Sequence, residues 1–379
     1  MNILLLTHSY PDKNQKWRGV FVKEQVKALS LEHNVIVVFF KVDYSHFAPF
    51  SSFTFSKKQS GRITEYEVTI NKSFPVITQL KYLSNTYRFI RKEILNHNNI
   101  DIIHSHLSYP AGFLGTIIQI REKIPNIITE HTWIKKYFRS SLHKLCVHYA
   151  IKKSSGIVAV SEALKKDISL FCKRSIIVIP NVIDLNKFRI SEKNRTGTFN
   201  IGILGGMGNY RKGLDILINA VSQLKDMDLM VHIGGEGVLL EKFKMLSHEL
   251  NVYEKCKFYG EILTENISGF YSRLDAFVLA SRDETFGVVI VEAMACGIPV
   301  IASDCGGPRE IITPETGLLV EKENPEDLAK AILFMSENLN TFKSDLIRKY
   351  AQEKYGQNSF VKDITKLYND VLTVHDSVH

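Results

Sequence analysis

Short apolar runs alternate with longer stretches of helical period from one end of the chain to the other. In the first half the runs predict strands at Ile3–Thr7, Val35–Phe40, Asp101–His104, Ile127–Glu130, Ile157–Val160 and Ile176–Ile179, with helices such as Val20–Glu32 and Ser161–Phe171 between them. A second series begins at Phe199–Leu204. It continues through Leu229–Gly234, Cys256–Tyr259, Ala276–Leu279, Pro299–Ala302 and Leu318–Val320. Helices near Gly213–Leu224, Val238–Leu250 and Gly287–Cys296 separate these runs, and the last segments, Pro325–Ser336, Thr341–Glu353 and Ser359–Leu372, are helical. Repeated strand–helix alternation predicts parallel sheets covered by helices on both faces. Two doubly wound α/β domains result: 1–182, joined by the C-terminal helix from about 359, and 199–358. The polar stretch within 183–198 reads as the hinge. Ligands of such sheets bind beyond the carboxyl ends of the strands, so a cleft between the domains is the expected site.

Composition narrows the compartment and the partners. Five cysteines at irregular spacing, without a C-x-x-C, exclude a disulfide framework and a zinc site and point to a reducing cytoplasm. No apolar run reaches the roughly 18–20 residues of a membrane span. The first residues, Met1-Asn-Ile-Leu-Leu-Leu, read as a strand rather than a leader. The net charge of +8 is unevenly distributed: residues 1–182 hold 26 Lys and Arg against 12 Asp and Glu, the remainder 22 against 28. The basic half concentrates its charge in Lys81–Lys92 and in the stretch from Trp133 to Lys153, among aromatic and aliphatic residues. Such basic amphipathic segments suit an anionic membrane surface. No nucleic-acid-binding module accompanies them, so a nucleic-acid partner is not expected.

The chemistry concentrates in Ala280-Ser-Arg-Asp-Glu-Thr-Phe-Gly-Val-Val-Ile-Val-Glu-Ala-Met-Ala-Cys-Gly297. A strand ends at Leu279, a loop carries Glu284, and an almost wholly apolar helix contains one charge, Glu292. A carboxylate in such a helix needs a partner or a ligand. Were the whole segment helical, the two carboxylates would lie about 12 Å apart along the axis. That favours contacts to opposite ends of an extended ligand over a single acid/base pair. Gly287 at the helix start admits a ligand to the backbone, and free N–H groups there favour an anion.

This stretch resembles the E-x7-E signature of the retaining glycosyltransferases of family 4, which have the GT-B fold, and the resemblance extends over almost the whole chain. Its other members are His104-Ser-His106, Thr129-Glu-His-Thr132, Val160-Ser-Glu162, Ile179-Pro-Asn-Val-Ile-Asp184 with Phe188, Lys212-Gly-Leu-Asp215 through Ala220, Gly234-Gly-Glu-Gly237, and Gly306-Gly-Pro-Arg-Glu-Ile-Ile312 through Val320. The resemblance implies a hexosyl- or N-acetylhexosaminyl-transferase of the bacterial surface-polysaccharide type. It would be cytoplasmic or peripheral on the inner face of the membrane. The donor would be a nucleotide-sugar, UDP-linked in preference to GDP-linked, and the acceptor a glycan or lipid-linked oligosaccharide. No cofactor or metal is expected, because front-face substitution asks only that the diphosphate charge be stabilised.

By the same resemblance His131, Glu284 and Lys212 are the catalytic candidates. Glu292 would hold the ribose, Glu284 the sugar hydroxyls, and Lys212 the pyrophosphate. Phe286, Gly287 and Val288 would offer backbone contacts. Gly19, in the loop after the first strand, would let backbone approach phosphate or acceptor. His104, His106 and Tyr10 are candidates on the acceptor side. Where the family has Gly-Arg this chain has Gly205-Gly206, so Arg211, or a residue of the basic first domain, is the expected replacement for the missing cation beside Gly206. Three other readings compete. Gly202-Ile-Leu-Gly-Gly-Met-Gly208 follows a strand but lacks the G-x-G-x-x-G spacing of a nicotinamide oxidoreductase. A sugar-nucleotide 2-epimerase would share the fold, and a non-catalytic glycan- or nucleotide-sugar-binding protein would share the pocket.

Overall fold

The computed structural model describes residues 1–13, 15–47, 53–72, 75–138, 140–191 and 197–378. The chain forms two compact units, Met1–Val182 with Gln357–His379, and Ile183–Gly356.

The first unit is built on strands β1 (Asn2–Thr7), β2 (Asn34–Phe47), β3 (Phe53–Ser60), β4 (Ile63–Lys72), β5 (Ile102–His106), β6 (Asn126–Glu130), β7 (Gly156–Ala159) and β8 (Ile177–Val178). They form one sheet in the order β3-β4-β2-β1-β5-β6-β7-β8. All neighbours are parallel except β3, which runs antiparallel to β4 at the edge. These two strands are the main departure from the sequence expectation, which placed no strand between Phe40 and Asp101. Their residues alternate, with Tyr66, Val68 and Ile70 buried between more accessible positions, and β3 is exposed along nearly its whole length. A search for continuous apolar runs finds the doubly covered centre of a sheet and passes over such an edge.

Helices α1 (Val20–Leu29), α2 (Pro75–Phe89), α3 (Phe113–Glu122), α4 (Ser141–Lys153) and α5 (Glu162–Ser169) cover this sheet. On one face α1 packs against Ile3, Leu5, Val35 and Val37; Phe360, Val361, Ile364 and Tyr368 join the same core from the end of the chain.

The second unit contains β9 (Phe199–Leu204), α6 (Leu214–Val221), β10 (Leu229–Gly234), α7 (Leu240–Glu249), β11 (Cys256–Phe258), α8 (Ile267–Tyr271), β12 (Ala276–Leu279), α9 (Val288–Ala295), β13 (Val300–Ser303), α10 (Pro308–Ile311), β14 (Gly317–Val320), α11 (Pro325–Glu337) and α12 (Ser344–Tyr355). Its sheet is wholly parallel, in the order β11-β10-β9-β12-β13-β14. The last helix, α13 (Gln357–Val378), belongs to the first unit.

The stretch expected to be a free hinge is ordered at its start. Ile183 bridges to Gly356, and Phe188 is buried edge-on to Tyr271, so 183–188 is built into the second unit. Residues 192–196 of that stretch lie outside the described residues.

Candidate functional site

In the second unit the carboxyl ends of β9 and β12 bring Lys212 and Glu284 together. Lys212 Nζ donates to Glu284 Oε2 at 2.7 Å, and both side chains are largely shielded from solvent. Local backbone demands explain the placement. Gly213 caps α6 at φ 69°, and a Cβ there would sit 1.8 Å from the Ala280 carbonyl oxygen. The turn carrying Lys212 is therefore pressed against the end of β12. Glu284 is fixed in an isolated bridge to Gly306, its carbonyl accepting from Gly307 N–H at 2.9 Å. Burial, reinforced by the Glu284 charge, pushes the neighbouring Cys305 thiol up to about 12. That thiol therefore stays protonated and offers no nucleophile at neutral pH.

Gly287 caps α9 at φ 106°, a conformation that L side chains rarely adopt. Within α9 the buried positions are Ile290, Val291, Ala293, Met294 and Ala295. Val288, Val289 and Glu292 are the partly accessible ones, and they share one stripe. Glu292 Oε2 accepts from the Tyr271 hydroxyl at 2.9 Å, and that hydroxyl also reaches the Val289 carbonyl at 3.1 Å. Burial, with the Glu292 charge beside it, holds the Tyr271 hydroxyl well above its ordinary value, so it remains a donor to the carboxylate. The Phe286 side chain is buried edge-on to Tyr355, which leaves only its backbone for a ligand.

Gly206 is exposed, and a Cβ there would meet nothing within 4 Å. Arg211 is exposed and has no ion-pair partner among the described residues. The neighbouring guanidinium that is engaged belongs to Arg282, a residue the sequence reading passed over. It forms a two-pronged pair with Asp215 at 2.9 and 2.6 Å, reaches Glu323 at 2.9 Å, and its backbone N–H donates to the Arg211 carbonyl. Arg282 thus pins the turn that carries Arg211 and Lys212 and has no cation to spare for a ligand.

In the first unit three histidines stack at the carboxyl ends of β5 and β6. Ring centroids are 4.5 Å apart for His104 and His106 and 5.2 Å for His106 and His131, with Phe21 4.5 Å beyond His131. His104 is a correction to its acceptor-side assignment. It is fully buried, its Nδ1 bonded to the Tyr368 hydroxyl at 2.6 Å and its Nε2 to Thr129 Oγ1 at 2.7 Å, so no ring nitrogen remains for a ligand. Tyr10 is a second correction: its ring is in the core beside Phe39, and its hydroxyl donates to Glu65 at 2.6 Å. His106 is buried too, with Nδ1 2.9 Å from His131 Nε2. Gly19 has its close approach within the chain, since a Cβ there would sit 2.1 Å from the Ser9 carbonyl oxygen.

Burial pulls His131 down to about 3; the neighbouring His104 adds to this, and a hydrogen bond with Asn181 opposes it. Asn181 in turn accepts from Gln25 at 3.1 Å. His131 is therefore neutral at pH 7, with its Nε2 held by His106, which removes it as a proton carrier near neutrality. Among the described residues, no group of three or more His, Cys, Asp or Glu is arranged to hold a metal ion. None of the described helices is long and apolar enough to cross a membrane.

Two family models cover most of the chain: "Glycosyltransferase Family 4" over residues 19–187 and "Glycosyl transferases group 1" over 186–354. An uncharacterized glycosyltransferase of Methanocaldococcus jannaschii, MJ1178, is 32% identical over 313 residues, 81% of this chain and 86% of its own. The chain belongs to the group 1, family 4 glycosyltransferases. A putative teichuronic acid biosynthesis glycosyltransferase of Bacillus subtilis, TuaC, is 25% identical over 88% of each chain. Among solved structures, sucrose-phosphate synthase from Thermosynechococcus elongatus superposes with a TM-score of 0.78 at 21% identity, over 98% of this chain and 99% of its own. Anabaena HepE, in complex with UDP and glucose, gives 0.76 at 19%, over 97% and 99%. The fold of this family 4 glycosyltransferase is GT-B.

Proposed function

We propose that the chain moves a sugar, with retention of configuration, from a nucleotide-sugar to a hydroxyl of a glycan or lipid-linked glycan. A UDP-linked hexose or N-acetylhexosamine is the favoured donor. The observation that carries this reading is the Lys212–Glu284 pair beside the open stripe of α9 with Glu292. Lys212 and exposed Arg211 would meet the diphosphate, Glu292 the ribose, and Glu284 the hydroxyls of the transferred sugar. The backbone at Phe286, Gly287 and Val288 would flank the sugar and phosphate, in the open space that Gly206 leaves. HepE, of the same fold, is solved with UDP and glucose, which supports the choice of nucleotide.

In the reaction the bond from the anomeric carbon to the β-phosphate oxygen breaks, and the acceptor oxygen bonds to that carbon from the same face. The acceptor proton passes to the leaving diphosphate. A neutral, internally bonded His131 fits this route, because no protein base is required. Its role would be to contact the donor sugar, with His106 holding its Nε2. Charge stabilisation by Lys212 and Arg211 would take the part that a divalent metal plays elsewhere.

The test is donor hydrolysis and transfer with a panel of UDP- and GDP-sugars, with product configuration read by NMR. Glu284→Gln and Lys212→Ala are each expected to lower kcat/KM at least about a hundredfold, the loss of a charged hydrogen bond plus transition-state stabilisation. Full activity in either variant, an inverted product, or epimerised donor without transfer would reject the proposal. Loss of activity with a chelator would reject its metal-free form.

A further inference from the structure

Helix α4 carries hydrophobic side chains on the side that should be polar. Its core-facing residues are Val147, Ala150 and Ile151. Leu145 projects about 160° around the axis from Val147 and is 64% exposed. Leu142 and Tyr149 lie within about 60° of it and are 54% and 37% exposed. Lys144, His148 and Lys152 form the next stripe around the helix, Lys153 flanks the other side, and all four are exposed. Lys135 and Lys136, in the turn before α4, are exposed as well. Arg139 lies outside the described residues.

A helix that only covers a core presents charge opposite its buried face. Here an apolar ridge stands between two basic margins, on the domain that holds the positive surplus of the chain. Two leucines and a tyrosine in water gain by entering an apolar phase, and the lysines beside them can keep their ammonium groups at an anionic boundary while their stems follow the ridge. We propose that α4 is a docking face for a bilayer bearing acidic phospholipid headgroups. The ridge enters the headgroup–acyl boundary, and Lys144, Lys152 and Lys153 pair with phosphates. Charge complementarity selects this occupant: a neutral protein groove would match the ridge but not its margins, and a soluble polyanion would match the margins but not the ridge. The inference goes beyond the transfer reaction and needs neither donor nor acceptor.

The experiment is co-sedimentation of the full chain, without nucleotide, with phosphatidylcholine vesicles and with vesicles containing about one third phosphatidylglycerol. Partition into the acidic vesicles is expected to be at least about tenfold greater and to weaken as salt is raised. Leu142→Ser with Leu145→Ser, and separately Lys144→Glu with Lys152→Glu, should each reduce it about tenfold. All of these side chains are exposed, so both variants should keep the wild-type melting temperature and donor hydrolysis in solution. Equal or absent partition into the two vesicles, or wild-type binding by both variants, would overturn the proposal. So would a dimer in solution that the serine variant converts to monomer, because the ridge would then serve a second copy of the chain.

Discussion

At the scale of single residues, the two carboxylates of the E-x7-E stretch are held by groups distant in sequence. Glu284 is held by Lys212, 72 residues before it, and Glu292 by Tyr271, 21 residues before it. Tyr271 is wholly buried and donates through its hydroxyl alone, so Tyr271→Phe removes the bond and leaves the packing. A hydrogen bond to a charged group contributes about 1.5 kcal/mol or more, roughly tenfold in an equilibrium constant. UDP affinity measured by titration calorimetry should therefore fall about tenfold, with kcat at saturating donor nearly unchanged. Wild-type affinity would show that Glu292 is oriented without Tyr271. The two glutamates and Lys212 stand out in the sequence because each belongs to a short motif, and the structure shows the partners that hold them. Tyr271 does not, because nothing near it in sequence marks the carboxylate it serves. The error over His104 and Tyr10 has the same origin. Polar residues at a strand end suggest a ligand until their partners are known, and those partners, Tyr368 and Glu65, arrive from remote segments.

At the scale of elements, the site depends on how tightly the loops after β9 and β12 are pressed together. Gly213 is the point of closest approach, and its positive φ and the Ala280 carbonyl exclude any side chain. Gly213→Ala must move the start of α6 away from the end of β12 and take Lys212 with it. The expected cost is at least about 2 kcal/mol from backbone strain and displaced packing. Limited proteolysis should show earlier cleavage in 183–356, and donor hydrolysis should be lost at temperatures where the chain remains folded. A variant with wild-type proteolysis and activity would mean that the turn has room the structure denies it. The central strands were legible because parallel strands buried on both faces are continuous apolar runs, as in Ala276–Leu279. β3 and β4 were not, since an edge exposed to water is written in alternation with Lys57, Lys58, Glu65 and Glu67. The returning helix α13 was legible as a helix. Its membership of the first unit rests on Phe360, Val361, Ile364 and Tyr368 packing into that core.

At the scale of the molecule, the buried histidines make acid stability a property of the first unit. Burial pulls His104 and His131 down to about 3 and His8 to about 4, and holds His106 well below its ordinary value. All four lie in the first unit. In the unfolded chain each takes a proton as pH falls through about 6.5, whereas native His8, His104 and His131 take none until about 3–4 and burial holds His106 neutral well below its ordinary value. The unfolded state therefore binds more protons throughout that window, and stability falls as pH falls, by about 1.4 kcal/mol per pH unit for each histidine once well below pH 6.5. The excess of Lys and Arg in this unit adds in the same direction, because titrating its carboxylates leaves the positive charge less opposed. The only two tryptophans, Trp17 and Trp133, are both in the first unit, so their fluorescence reports its unfolding separately from the second. The urea midpoint read from tryptophan should drop steeply between about pH 7 and about pH 5, because four neutral histidines act together. In the second unit only His232 is pulled down, to about 4, so a probe placed there should record a shallower decline. Equal slopes in the two units would mean that the histidine stack is protonated in the native state, and the neutral, internally bonded His131 on which the proposed route relies would have to be given up.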